Sequence, residues 1–204
     1  MASWRFAYCM KPMDSTIDPS PKDFSLWTLE QIRARGAAFS WMEERRFDWV
    51  PIAASAIEHL MSAQTMLLVT DREREWFARY TLSRLNRVNT QRPLLPIISL
   101  GTIFPYLDKA SDSEQLKILE DMLALTFPND YIFFYIGKGN DHRAQIAKGK
   151  SDSLLWLLDE TAQNAFSLRS DDAQLDIKLI QMLMLFDRSI DAIMFSEVDI
   201  QNLL

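Results

Sequence analysis

Thr70-Asp71-Arg72-Glu73-Arg74-Glu75 stands where a strand-to-helix turn could hold a phosphate, and it carries the wrong charge. It closes the apolar run Thr65–Thr70 and opens a helical pattern over residues 74–85. A phosphate at such a junction needs free backbone N–H groups, close main-chain approach and a positive local field. No glycine is present, and Asp71, Glu73 and Glu75 oppose the field. Gly137-Lys138-Gly139-Asn140 follows a later apolar run and is the one glycine turn at a ligand-binding position. Lys138, Gly139 and Asn140, with Arg143 and Lys148 nearby, form a candidate anion loop. A tight turn with a solvated Lys138 explains the same residues more simply.

Other chemistry is sparse. His59 sits beside Glu58 in a helical pattern and His142 follows Asn140-Asp141, neither with a partner at metal-ligand spacing. No Gly-x-Ser-x-Gly elbow, Gly-x-Gly-x-x-Gly turn or Walker loop occurs. No catalytic residue, metal or cofactor is expected. The single cysteine, Cys9, excludes an internal disulfide and fits a reducing compartment. Net charge is −6, from 28 acidic and 22 basic residues. The basic residues pair off in small groups: Arg33 with Arg35, Arg45 with Arg46, Arg84 with Arg87. Counterion release from DNA rewards clustered cations, so direct specific DNA binding is not expected. Neither a membrane span nor a signal peptide is legible, and a cytoplasmic location follows.

The elements that must position these residues read as one α/β domain over 23–204, preceded by a flexible leader, 1–22. The leader carries Pro12, Pro19 and Pro21, with Trp4, Phe6 and Tyr8 alternating as a strand would. Helical spacing starts at Asp23, a candidate N-cap, and continues through Phe39 and Met42. Residues 43–46 look like an exposed charged break, and a second helix over 49–61 has Pro51 in its first turn. Apolar strand runs follow at Thr65–Thr70, 95–100, 131–136, Leu154–Leu158 and, more weakly, Ala165–Leu168. Helical patterns fill the gaps at 74–85, 114–125 and 143–148. Near-continuous apolar strands belong to parallel sheets covered on both faces. The alternation predicts a three-layer αβα, doubly wound parallel sheet of five strands, in the flavodoxin-like order 2-1-3-4-5 with added N-terminal helices. The short link before the fifth strand fits a parallel crossover poorly.

The last helix, 175–195, is apolar almost all round between Leu179 and Phe186, and Ser170-Asp171-Asp172 is its expected cap. Such a helix is buried on several sides. Another subunit could supply that burial, which makes Ile180, Leu183 and Met184 the expected oligomer interface. The first two helices of the same chain are the other account. Partner binding draws on exposed aromatic, Met and Arg anchors. Met194 with Phe195, at the end of the last helix, is the favoured cluster, and Trp76 with Phe77 is the second. Packing inside the core or an oligomer accounts for either cluster as well.

Strand-turn-helix spacing and the C-terminal segment resemble the sugar isomerase (SIS) fold. That fold has a Gly-rich loop after the first strand, a Ser/Thr-Gly-Asn-Ser-like loop after the third, and a Gln-Glu-x-x-His-like start to the last helix. Here Thr70-Asp71-Arg72 replaces the first loop, and the second keeps Gly139-Asn140 between Gly137-Lys138 and Asp141. Leu175-Asp176-Ile177-Lys178-Leu179 opens the helix with apolar residues where the acid and histidine would fall. The resemblance therefore implies a fold without isomerase activity. A closer resemblance, over residue 23 to the end, is to the HobA family. It is carried by Trp27-Thr28-Leu29, Trp41-Met42-Glu43-Glu44-Arg45-Arg46, Thr70-Asp71 with Trp76, and Arg92-Pro93. Phe127-Pro128-Asn129, Tyr131-Ile132, Tyr135-Ile136-Gly137-Lys138 and Arg143-Ala144-Gln145-Ile146-Ala147-Lys148 extend it. Ser170-Asp171-Asp172 and Leu175-Asp176-Ile177-Lys178-Leu179-Ile180-Gln181 complete it. That resemblance implies a homotetramer that binds the N-terminal domain of the replication initiator DnaA and supports its assembly at the bacterial origin. The alternative from the residues is a regulator that binds a phosphosugar or nucleotide at 137–140.

Overall fold

Among the described residues, backbone pairing begins at Lys22. The computed structural model describes residues 22–88, 91–105 and 113–200; Cys9 and the alternation of Trp4, Phe6 and Tyr8 lie outside the described residues. Lys22–Asp23 (β1) pairs in parallel with Val198–Asp199 (β7), so the pairing takes in Lys22, one residue before the expected start of the domain. Asp23 accepts from the Leu26 N–H at 2.9 Å and caps α1, Phe24–Ala34. Helix α1 stops there, short of the expected Phe39, and Gly36 turns the chain at φ 77°. The charged stretch 43–46 is not a break: it lies at the start of α2, Met42–Met61. Glu43 and Glu44 stand at the positive end of the helix dipole, and Glu43 takes an ion pair from Arg33 at 3.1 Å. Pro51 is consequently inside α2, on its exposed side, where water can take up the carbonyl that proline frees.

Strands β2 (Thr65–Thr70), β3 (Ile97–Ser99), β4 (Tyr131–Lys138), β5 (Leu154–Leu158) and β6 (Ala165–Leu168) form one sheet. Their order is β3-β2-β4-β5-β6 with every neighbour parallel, which is the expected 2-1-3-4-5. The link 159–164 contains no helix although it joins parallel strands. At roughly 3.3 Å per residue it is long enough to retrace so short a strand. Asp159 and Asn164, at φ 60° and 58°, turn the chain at its two ends.

Alternate strand residues divide between two cores, which is why the runs are apolar throughout. Met66, Leu68, Ile132, Phe134, Ile136 and Trp156 face one side, under α1, α2, α3 (Glu75–Leu85) and α7 (Leu175–Met194). Leu67, Val69, Phe133, Tyr135, Leu155 and Leu157 face the other, under α4 (Leu100–Ile103), α5 (Ser113–Thr126) and α6 (His142–Lys148).

Helix α7 is buried by its own chain. It packs against α1, α2 and α3, and the Phe186 ring meets Trp49 edge-on at 6.2 Å. Leu183 is 0% exposed within the single chain, so it is a core residue with no surface for a partner subunit, whereas Ile180 and Met184 are half-buried. The charged side of α7 is also drawn inward. Arg92, fully buried, donates to Asp187 at 2.6 Å and to the Leu85 carbonyl at 2.7 Å, and Arg84 reaches the same carboxylate at 3.1 Å. The expected cap at 170–172 falls short of the helix: the N-cap of α7 is Gln174, with no side-chain hydrogen bond, and Asp172 accepts from the Gln174 N–H at 2.8 Å. No described helix is long and apolar enough to cross a membrane.

Candidate functional site

Ligands of open α/β sheets bind outside the carboxyl ends of the strands, where the strand order reverses. Here the reversal lies between β2 and β4, and the chain fills it with its own carboxylate. Asp71, just past β2, is buried. Its Oδ2 accepts from the Lys138 N–H at 2.8 Å and from Arg74 Nη1 at 2.8 Å, and its Oδ1 accepts from the Arg74 N–H at 3.0 Å. Backbone and guanidinium donors thus surround Asp71 as they would a bound oxyanion. Gly137 makes the approach feasible: a Cβ there would lie 2.7 Å from Asp71 Cγ and from the Tyr135 hydroxyl. That glycine does for a side chain what glycine loops do for phosphates.

The rest of the candidate anion loop is closed in the same way. Lys138 Nζ pairs with Glu73 at 2.7 Å. Lys148 Nζ bridges the Gly139 carbonyl at 2.7 Å and Glu160 at 2.6 Å, and Glu160 lies directly over Gly139. The Gly139 N–H donates to the Leu158 carbonyl and the Asp141 N–H to the Lys138 carbonyl, while Asn140 is exposed. The Lys138 hydrogen bond, then the Arg74 charge, hold the Glu73 carboxyl below its ordinary value. Burial, then the charges of Asp141 and Asp71, push the Tyr135 hydroxyl far above its ordinary value. Lys138, Lys148 and the Gly139 N–H are thus each engaged by other groups of the chain. Among the described residues, no cluster of His, Cys, Asp or Glu could hold a metal ion.

The expected partner residues divide. Phe195 is 49% exposed at the C-cap of α7, and Met194 is half-buried beside it. Trp76 is 42% exposed on α3, but Phe77 is 0% exposed, stacked 6.3 Å from Tyr80, and belongs to the core. The two aromatic surfaces are not brought together. α3 and α7 both start at the carboxyl ends of strands, and α7 runs back about 30 Å, leaving Phe195 at the opposite end. Sequence reasoning missed Glu160, whose carboxylate after a strand was the available signal. It also missed a groove of about 370 Å³ between α3 and α4, walled by Arg79, Ser99, Thr102 and Arg143.

The family model for HobA, described as a DNA replication regulator, matches residues 21–200. The chain belongs to the HobA family. It is 30% identical over 183 residues to the DNA replication regulator protein HobA of Helicobacter pylori (strain ATCC 700392 / 26695), covering 87% of this chain and 98% of that protein. Its structure is similar to that in a HobA–DnaA (domain I-II) complex from Helicobacter pylori, with TM-score 0.70, 28% identity, and coverage of 88% of this chain and 99% of that one. A phosphoheptose isomerase from Francisella tularensis shares the fold at TM-score 0.50 and 14% identity, over 69% of this chain and 85% of that one. The SIS-like architecture is therefore present, with Asp71 and Glu160 lying against the loop 137–140.

Proposed function

We propose that this chain is a non-catalytic scaffold that binds the N-terminal domain of DnaA and promotes its assembly at the chromosomal origin. The observation that carries the reading is Asp71 on the Lys138 N–H: the crevice in which this fold would hold a small ligand is filled from within. The HobA relative in complex with DnaA domain I-II supports the choice of partner. A cytoplasmic homotetramer would hold several DnaA copies at high effective concentration, so that weak contacts act together. Apolar surface is left for such an assembly on α5, where Ile118, Met122 and Leu125 are 53%, 46% and 85% exposed at helical spacing. Ile180 and Met184 offer a second, smaller patch. Phe195 with Met194 is the proposed DnaA anchor. Neither phosphosugar turnover nor specific binding of origin DNA by the chain alone is expected.

The test is the mass, by light scattering, of the chain alone and mixed with DnaA domain I-II. A tetramer that gains mass with the DnaA fragment is the expected result; a monomer that gains none would end the reading. A thermal shift on adding sugar phosphates or nucleotides would favour the ligand-binding regulator instead.

A further inference from the structure

The sheet is uneven at its carboxyl edge. β3 ends at Ser99, opposite Leu68, while β2 continues to Thr70. Met66 turns its N–H towards the β3 side, donating to the Pro96 carbonyl at 2.8 Å, and the two-residue period turns Thr70 the same way. Its carbonyl meets Arg143 Nη1 at 2.8 Å instead of a strand. The missing length of β3 leaves the groove of about 370 Å³ between α3 and α4.

Two arginines line it, in different states. Arg143 is buried, held by the Thr70 carbonyl and lying 3.7 Å from Glu75. Arg79 is exposed, and among the described residues it is the one arginine without a hydrogen bond or ion pair. In a chain of net charge −6, whose other described arginines are all engaged, this is a local inversion of sign. Ser99 and Thr102 bring hydroxyl groups to the same wall. Trp76 lies one turn before Arg79, on the same side of α3.

We propose that this groove receives an acidic side chain of the partner protein, ion-paired by Arg79, with Trp76 covered by the adjoining partner surface. The proposal rests on the reading that the chain binds DnaA, and names a contact surface for it at the end of the sheet opposite Phe195. A protein segment fits better than a free anion. Glu75 on the rim offsets part of the positive charge, so a small solute gains little. A partner gains in addition the burial of a tryptophan beside an arginine, two of the residue types enriched among interface hot spots.

The experiment measures the affinity of the full chain for DnaA domain I-II, with the melting temperature of each variant as a control. Arg79→Glu and Trp76→Ala should each weaken binding by about tenfold or more, and Arg79→Lys should keep most of the affinity. Lys117→Glu makes the same charge change on α5, across the sheet, and should leave affinity unchanged. Raising salt from about 0.05 M to about 0.5 M should weaken the parent chain more than Arg79→Glu. Parent-like binding by Arg79→Glu, or an equal loss in Lys117→Glu, would overturn the proposal. So would stabilisation of the parent chain by free phosphate or citrate that disappears in Arg79→Glu, since the groove would then belong to a small anion. If the DnaA fragment fails to bind the parent chain at all, it is the proposed function that falls, and the groove with it.

Discussion

Asp71 is held by the Lys138 N–H and by both the N–H and the guanidinium of Arg74. Asp71→Ala leaves the Lys138 N–H without its acceptor and the buried Arg74 guanidinium with Glu73 alone. Leaving a buried charge wholly unpaired costs about 3–5 kcal/mol, and because Glu73 stays on Arg74 the loss in urea unfolding should be smaller than that. Asp71→Asn keeps an oxygen in place and should lose less. Gly137→Ala acts on the same contact from the other side, because its Cβ would meet Asp71 and the Tyr135 hydroxyl at 2.7 Å. At the opposite end of the sheet, Phe195→Ala removes a half-exposed ring. It should leave the melting temperature and the assembled mass intact while weakening DnaA binding by about 2 kcal/mol, the scale of a hot spot. Unchanged affinity in a correctly assembled variant would remove Phe195 from the site. The carboxylates after the first strand were legible as residues that repel a phosphate. That one of them takes the phosphate's place was not, because its backbone donor lies 67 positions away.

Among the elements, α7 decides where the apolar surplus of the chain goes. Leu183→Ala opens a cavity inside one chain and should cost about 2–5 kcal/mol, the same at every protein concentration. A loss that grows on dilution would place Leu183 between subunits instead. The end of α7 is a Schellman turn: the Ser196 N–H donates to the Ile193 carbonyl and the Glu197 N–H to the Ala192 carbonyl. Ser196 sits at φ 59°, a conformation that favours glycine, so Ser196→Gly should raise stability by up to about 1 kcal/mol. Type and order of the elements were legible from periodicity, and their edges were less so. The 43–46 segment reads as a break because its four charges hide the helical period, whereas in the fold Glu43 meets Arg33 of α1 and Arg45 reaches β6, donating to the Ser167 carbonyl at 2.8 Å.

For the whole molecule, the response to acid should follow the carboxylates held low at its surface. Glu73, Asp130, Asp159, Asp171 and Asp172 are held below their ordinary values chiefly by hydrogen bonds from Lys138, Lys150, Ser170, Arg169 and Lys178 respectively. Lowered folded-state values mean that the contribution is complete above the unfolded carboxylate range and is lost as pH falls through the folded values. The melting temperature should stay level near neutrality and decline below about pH 4. A decline that starts near pH 6 would point to a different group. The sequence by itself determined the parallel sheet, its strand order and the absence of a glycine phosphate loop after the first strand. Those follow from hydrophobic period and local turn chemistry, which act over a few residues. The tertiary structure alone decided that α7 is covered by its own chain, that Asp71 closes on Lys138, and that a short β3 opens a groove beside Arg79. Each of these depends on which distant segments meet, and burial is a property of that meeting rather than of the residues one by one.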